Sequence, residues 1–189
     1  MSLTVKICGV RDAETARTAF RAGADFVGLV FAPSRRRVRP EEAAAILAEV
    51  PGAYIGVFQD VLQVAELEEV AEAVPLAGVQ LHGHAPAGWI EWARARGLVA
   101  IAADRSVRQA DVLLLDGPKA GSGIPWDWRL PAGHATYWLA GGLTVDNVGD
   151  LVRRLRPAGV DVSSGVERDG QKAPDLIEQF VKEAKGWQR

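Results

Sequence analysis

The chain holds a single cysteine, Cys8, two positions after Lys6 and just before Gly9. If residues 3–8 form a strand, Lys6 and Cys8 share one face and Ile7 takes the other. A neighbouring ammonium favours the thiolate, and a thiolate is a base or a nucleophile. The competing reading is a buried small hydrophobe, because free cysteine is among the most buried residue types. Asp116 ends the apolar run Leu113-Leu114-Leu115. Poor solvation at such a place favours the protonated carboxyl, which is an acid usable near neutral pH. Gly117-Pro118 follows instead of a helix start, so the competing role for Asp116 is to stabilise a turn.

Three further stretches suit an anion: Gly121-Ser122-Gly123, Gly141-Gly142 and Ser163-Ser164-Gly165. Glycine lets backbone N–H groups come close to a ligand, and serine adds hydroxyl donors. Each alone reads as a turn. Three in succession read as a phosphate cradle around Gly123, Gly141, Gly142, Ser163, Ser164 and Gly165. No P-loop lysine accompanies them, which argues against a nucleotidase.

The run Arg35-Arg36-Arg37 is a different kind of signal. Charge runs are usually solvated, yet one guanidinium in such a loop can fork onto a ligand carboxylate. His82 is either a hydrogen-bonding group of a site or a satisfied structural histidine. Lys6 and Asp161 lie inside patterns otherwise rich in Val, Leu and Ile, where a charge is costly unless paired or used. His82 and His84, with no H-E-x-x-H or paired-acid spacing, are too few for a metal centre.

The elements that must position these residues follow from periodicity. Strands are expected at 3–8, 26–31, 54–58, 78–81, 98–102, 111–115, 136–139 and 159–162. Helices are expected from the Asp12 cap to 22, then at 40–50, 61–74, 86–96, 144–156 and 174–185, with a brief helical turn near Val107. Strands alternating with helices predict βαβ units and a parallel sheet. Eight units predict a single (β/α)8 TIM barrel over residues 1–189, compact with short loops and with helices stunted after strands five and six. In that fold the C-terminal strand ends converge on one face. The expectation is therefore that Cys8, the arginine loop, His82, Asp104, Asp116 and the glycine loops meet there. An open doubly wound sheet is the alternative, but no G-x-G-x-x-G follows strand one.

Composition narrows the class further. The chain has 189 residues, 48% apolar and 24% charged, with a net charge of −2. That balance gives no general attraction to nucleic acid or an anionic membrane, so any anion site is local. One cysteine excludes an internal disulfide. No stretch approaches the roughly 18 apolar residues of a membrane span, and the first ten residues lack a signal-peptide pattern. The expected location is cytoplasmic.

Taken together, several segments resemble the phosphoribosylanthranilate isomerase family. They are Lys6-Ile7-Cys8-Gly9, Gly23-Ala24-Asp25, Val27-Gly28-Leu29-Val30-Phe31, Gly56-Val57-Phe58, Val79-Gln80-Leu81-His82-Gly83, Leu114-Leu115-Asp116, Gly121-Ser122-Gly123, Ala140-Gly141-Gly142-Leu143 and Val160 through Glu167. The resemblance implies a (β/α)8 barrel and an Amadori rearrangement of N-(5-phosphoribosyl)anthranilate to 1-(2-carboxyphenylamino)-1-deoxyribulose 5-phosphate in tryptophan biosynthesis. It implies Asp116 as general acid, Cys8 as general base and no cofactor. It places the anthranilate carboxylate on Arg36, with Arg35 and Arg37 as alternatives, because the usual Ser-Pro-Arg is here Ser34-Arg35-Arg36-Arg37. Lys6, His82 and Asp161 complete the implied substrate-binding set, and the glycine loops hold the phosphate. Ile124 stands where the family commonly has lysine. The expected partner is a small phosphosugar, with no nucleic acid or membrane, on a monomer or homodimer. Two other readings remain: a related barrel isomerase acting on another aminosugar phosphate, and a catalytically silent phosphate-binding barrel.

Overall fold

The computed structural model describes residues 2–103, 106–107, 109–116 and 136–186. Eight parallel strands close into a barrel in chain order: β1 (Thr4–Cys8), β2 (Phe26–Val30), β3 (Tyr54–Gln59), β4 (Gly78–His82), β5 (Val99–Ala102), β6 (Val112–Leu115), β7 (Tyr137–Leu139) and β8 (Gly159–Val162). The ring shuts where β8 pairs with β1, in a register that sets Lys6 opposite Asp161. Six helices lie among the described residues: α1 (Ala13–Ala22), α2 (Pro40–Glu49), α3 (Val64–Ala73), α4 (Trp89–Ala95), α5 (Val148–Leu155) and α6 (Pro174–Lys185). None of them is long and apolar enough to cross a membrane.

Strands covered on both faces must be apolar on both, which is why β6 reads as unbroken Val-Leu-Leu-Leu. Outward residues such as Ile7, Leu29, Leu113 and Leu139 pack against the helices. Inward residues Ile55, Ile101, Val112, Leu114 and Trp138 fill the lower barrel. Room for the indole comes from Gly159, where an added Cβ would lie 2.6 Å from the Trp138 ring. With its lower layers filled by side chains, the barrel offers its polar positions at the C-terminal rim.

Local chemistry sets most boundaries. The Asp12 carboxylate accepts from the Thr15 amide at 2.8 Å and caps α1, and Gly23 ends that helix at φ 99. Three helices begin later than periodicity predicts. Ahead of α3, Glu66 Oε1 accepts from both the Leu62 and Gln63 amides, so those residues form the capping turn. Gly88, at φ 80, delays α4 until Trp89. Thr144 is not the cap of α5. Its amide donates to Asn147 Oδ1 at 2.9 Å, while Asn147 Nδ2 donates to the Gly142 carbonyl at 2.8 Å. The segment 144–147 is thereby a turn. The described residues around Val107 hold no helix. The sequence reading also missed a hairpin, β9 (Glu167–Arg168) with β10 (Gln171–Lys172), reached through the 3-10 turn Ser164–Val166.

Candidate active site

A cleft opens at the C-terminal ends of the strands and encloses about 860 Å³, counting its mouth. Its lining includes inward residues two apart on the strands, Cys8 from β1, Val57 and Gln59 from β3, Gln80 and His82 from β4 and Asp161 from β8, together with Phe58 and Val162 at the strand ends. Asp116 follows β6 in phase with Val112 and Leu114 and lines the same cleft. So do Arg36, Gly141, Gly142, Ser163, Ser164 and Gly165. Of the residues singled out in the sequence, Lys6 sits just beneath the lining. Gly121, Ser122, Gly123 and Asp104 lie outside the described residues.

Lys6 is fully buried, and its Nζ donates to Asp161 Oδ1 at 3.0 Å. Burial disfavours the ammonium, but Asp161 and Cys8 together outweigh it and raise the Lys6 pKa above its ordinary value. Cys8 does share the Lys6 face. A Cβ built on Gly28 would lie 2.9 Å from the Cys8 sulfur and 3.0 Å from Lys6 Cε, so glycine at this point of β2 makes room for both. The ammonium favours the Cys8 thiolate, as the sequence suggests, yet it is outweighed. Burial pushes the thiol up, nearby Asp161 adds to the rise, and the pull of Lys6 and Lys172 is smaller. The resting group is a thiol.

His82 Nε2 lies 2.8 Å from the Gln80 amide nitrogen. With Gln80 donating, Nε2 accepts and the ring proton sits on Nδ1. Burial pushes the His82 pKa down, the Lys6 charge adds to the fall, and Asp161 opposes it, so the ring is neutral. Gln80 is itself buried, and its Oε1 has no partner among the described residues.

The rim after β7 and β8 is built from backbone. Gly141 and Gly142 both take positive φ, 70 and 74. Gly165 lies so close to the Leu143 carbonyl that a Cβ would overlap it at 1.8 Å, so the two loops abut main chain to main chain. Ser163 donates to the Cys8 carbonyl at 3.1 Å, tying the β8 loop to the end of β1.

Among the three arginines the structure separates roles. Arg35 and Arg37 are exposed and do not line the cleft, whereas Arg36 does. Arg36 donates from Nε and Nη2 to the two oxygens of Glu167, at 2.7 and 2.9 Å. Arg35 adds a contact at 2.6 Å and Lys172 another at 2.9 Å. Burial alone would raise the Glu167 pKa, but the donors Arg36 and Lys172 overcome it and hold the carboxyl at about 2. Lys172 also donates to the Ser163 carbonyl at 2.8 Å. Burial pushes its pKa down, against the support of Glu167.

Sequence reasoning assigned no role to Gln80, Glu167 or Lys172. The last two ride on the hairpin, where they are register partners. A signal for that hairpin was available: Asp169-Gly170, whose φ values of 53 and 78 are those of a primed turn.

A closed parallel barrel with a thiol, a carboxyl group and a polar cleft at the carboxyl ends of its strands is a (β/α)8-barrel enzyme with a small-molecule site. The comparisons narrow the class. The family model described as N-(5'phosphoribosyl)anthranilate (PRA) isomerase matches residues 5–183, and the chain belongs to that family. The N-(5'-phosphoribosyl)anthranilate isomerase of Streptococcus pneumoniae serotype 19F (strain G54) is 42% identical over 190 residues, covering 96% of this chain and 95% of that protein. A phosphoribosyl anthranilate isomerase solved with reduced 1-(o-carboxyphenylamino)-1-deoxyribulose 5-phosphate superposes with a TM-score of 0.83 at 35% identity, covering 97% of this chain and 99% of the other. A structure of monomers generated from the dimeric Thermotoga maritima enzyme gives 0.80 at 35% identity, with 97% and 99% covered.

Proposed function

We propose that Asp116 and Cys8 act as general acid and general base in the isomerisation of N-(5'-phosphoribosyl)anthranilate, the tryptophan-biosynthetic reaction that family membership gives this chain. The observation that carries the assignment is their place in one cleft, beside one inward arginine and two backbone-built rims. Asp116 gives its proton to the ribose ring oxygen. The C1–O bond breaks as the anilino nitrogen lone pair forms a C1=N bond, leaving a cationic Schiff base. Cys8 then removes the C2 proton, and the released electron pair forms C1=C2 and neutralises the nitrogen. The resulting enolamine becomes the ketose when C1 gains a proton and the C2 hydroxyl loses one. No atoms are gained or lost, and neither oxidant nor cofactor enters.

A resting thiol fits this sequence. The base is needed only once the ring has opened. The thiol then releases its own proton to solvent in the open cleft, and the Schiff-base cation beside it favours the thiolate so formed. Uptake of the C2 proton restores the thiol, while solvent reprotonates Asp116. Arg36 is the assigned partner of the anthranilate carboxylate. Gly123, Gly142, Ser164 and Gly165 are the assigned partners of the phosphate, with Gly141 and Ser163 beside them in the loops after β7 and β8. His82 and Asp161 are assigned to the sugar end, with His82 neutral and able to donate. Lys6, fully buried beneath the lining, is corrected from a sugar ligand to the support of Asp161. All these groups come from one chain, so a monomer or a homodimer serves, and a dimer has a precedent in the Thermotoga maritima relative. We assign the reaction to the cytoplasm, where amino-acid biosynthesis runs.

The test follows the fluorescence of phosphoribosylanthranilate generated in situ, with and without purified protein. Rapid decay that Asp116→Asn abolishes, and that Cys8→Ser reduces to a small remainder without loss of binding, is the expected result. Normal turnover in either variant would move that role to another residue.

A further inference from the structure

We propose that Glu167 is a positioning residue for substrate recognition: it holds the Arg36 guanidinium edge-on, so that the free end of the fork meets the aromatic carboxylate of the substrate. The inference rests on the assignment of Arg36 to that carboxylate.

The geometry is specific. Glu167 takes Nε and Nη2 of Arg36 in a two-point contact, which fixes the plane of the guanidinium as well as its position. Nη1 has no partner among the described residues, and Arg36 lines the cleft. The aliphatic stem is fixed too. A Cβ built on Gly9 would fall 2.4 Å from Arg36 Cδ, so the arginine lies across the space that the glycine leaves open. Guanidinium plane and stem are thus both set before any ligand arrives, and preorganisation of this kind lowers the ordering cost of binding.

The charge balance points the same way. Arg35, Arg36 and Lys172 all contact the Glu167 carboxylate. Three cations around one anion leave the cluster positive. Arg35 is 56% exposed and screened by water, but Arg36 is only 13% exposed and Lys172 only 6%, so these two cations on one buried carboxylate leave an excess that water compensates little. An arriving carboxylate does. Glu167 is therefore not a competitor for the ligand. It neutralises enough charge to keep the cluster folded and leaves the remainder directed into the cleft.

The hairpin gives the arrangement its rigidity. Glu167 and Lys172 are paired in register across β9 and β10, and Lys172 anchors to the Ser163 carbonyl at 2.8 Å. The carboxylate end of the cleft and the β8 loop are consequently set by one small element.

The experiment compares two inhibitors: reduced 1-(o-carboxyphenylamino)-1-deoxyribulose 5-phosphate, and its counterpart lacking the ring carboxylate. The ratio of their dissociation constants isolates carboxylate recognition from phosphate and sugar binding. Glu167→Gln should weaken the carboxylated probe about tenfold or more, the scale of one charge-assisted contact. The other probe should change less than about twofold. Glu167→Asp, which restores charge at a shorter reach, should recover part of the ratio, and it decides the matter if Glu167→Gln does not fold. Equal weakening of both probes would show that Glu167 merely supports the cleft, and would overturn the proposal. Arg36→Ala separates the two levels of argument. If it abolishes the ratio while both Glu167 variants keep it, the positioning role fails and the Arg36 assignment stands. If Arg36→Ala keeps the ratio, the assignment fails and the positioning role goes with it.

Discussion

Lys6 Nζ lies 3.0 Å from Asp161 Oδ1, between register partners on the strands that close the barrel, with Lys6 wholly buried and Asp161 open only to the cleft. The pair explains how two charges persist in otherwise apolar strands. Its carboxylate also adds to the rise of the Cys8 pKa, which burial chiefly causes and the pull of Lys6 only partly offsets.

Removing one partner is therefore expected to cost more than removing both. Asp161→Asn leaves a buried ammonium without its counter-charge, a change on the order of 3–5 kcal/mol. Lys6→Met combined with Asp161→Leu should recover most of that loss. Urea unfolding of the two variants checks the order. A double variant no more stable than Asp161→Asn would mean that the pair is not balanced as described.

The state of Cys8 is open to direct titration, because it is the only cysteine in the chain. Its pKa is raised from an ordinary value of 9.0, chiefly by burial. The rate of alkylation by iodoacetamide should be low at neutral pH and should inflect above 9.0. Lys172→Met removes a charge that favours the thiolate and should move the inflection higher still. An inflection below about 8.5, the value for an unperturbed cysteine, would reverse the assignment of a resting thiol.

Glu167 predicts a pH signature in stability. Its folded pKa of about 2 lies below the ordinary 4.5, so its contribution is complete above 4.5 and is lost as pH falls toward 2. Glu167→Gln mimics the protonated form. Wild type should exceed this variant in unfolding free energy at pH 7, and the gap should close between about pH 4.5 and pH 2. A gap independent of pH would mean that the ion pairs contribute nothing.

Gly9 and Gly97 form a matched pair of probes. Both have positive φ, 76 and 69, so alanine strains the backbone similarly at each. Only at Gly9 does the new methyl meet side chains, Arg36 first and the Ser163 hydroxyl at 3.2 Å second, while Gly97 faces open space. Gly97→Ala should lower stability by about 1 kcal/mol and leave KM unchanged. Gly9→Ala should lower stability and raise KM as well. Equal KM values would show that the Arg36 stem is free to shift.

Much of the molecule was readable from residue order because the barrel repeats one device. Short apolar strands alternate with helices bounded by Asp12, Gly23, Pro40 and Pro174. Cys8, Asp116, Gly141-Gly142 and Ser163-Ser164-Gly165 then follow from where strands end, while Gly121-Ser122-Gly123 lies outside the described residues. Legibility failed where side chains replaced backbone rules. Nothing in the spacing said that Glu66 and Asn147 would take over the first turns of α3 and α5. The arginine run was ambiguous because its sorting depends on Glu167, 131 positions away. Lys172 was invisible as a site residue because its importance comes from a fold-back at Asp169-Gly170. Gln80 looked like an ordinary strand residue, and only its burial distinguishes it.

The seam between β1 and β8 bears on how the chain reaches this state. Synthesis delivers Lys6 155 residues before Asp161. Until β8 arrives, an incomplete ring can take Lys6 into its interior only as an unpaired cation, which favours keeping that edge wet. Closure removes the penalty in one step and brings the Ser163 hydroxyl against Cys8 at the same time. Truncated or half-made chains therefore lack more than a strand. They also lack the partner of a buried lysine and the hydroxyl that ties the β8 loop to the end of β1, so the seam that closes the barrel is also part of the cleft.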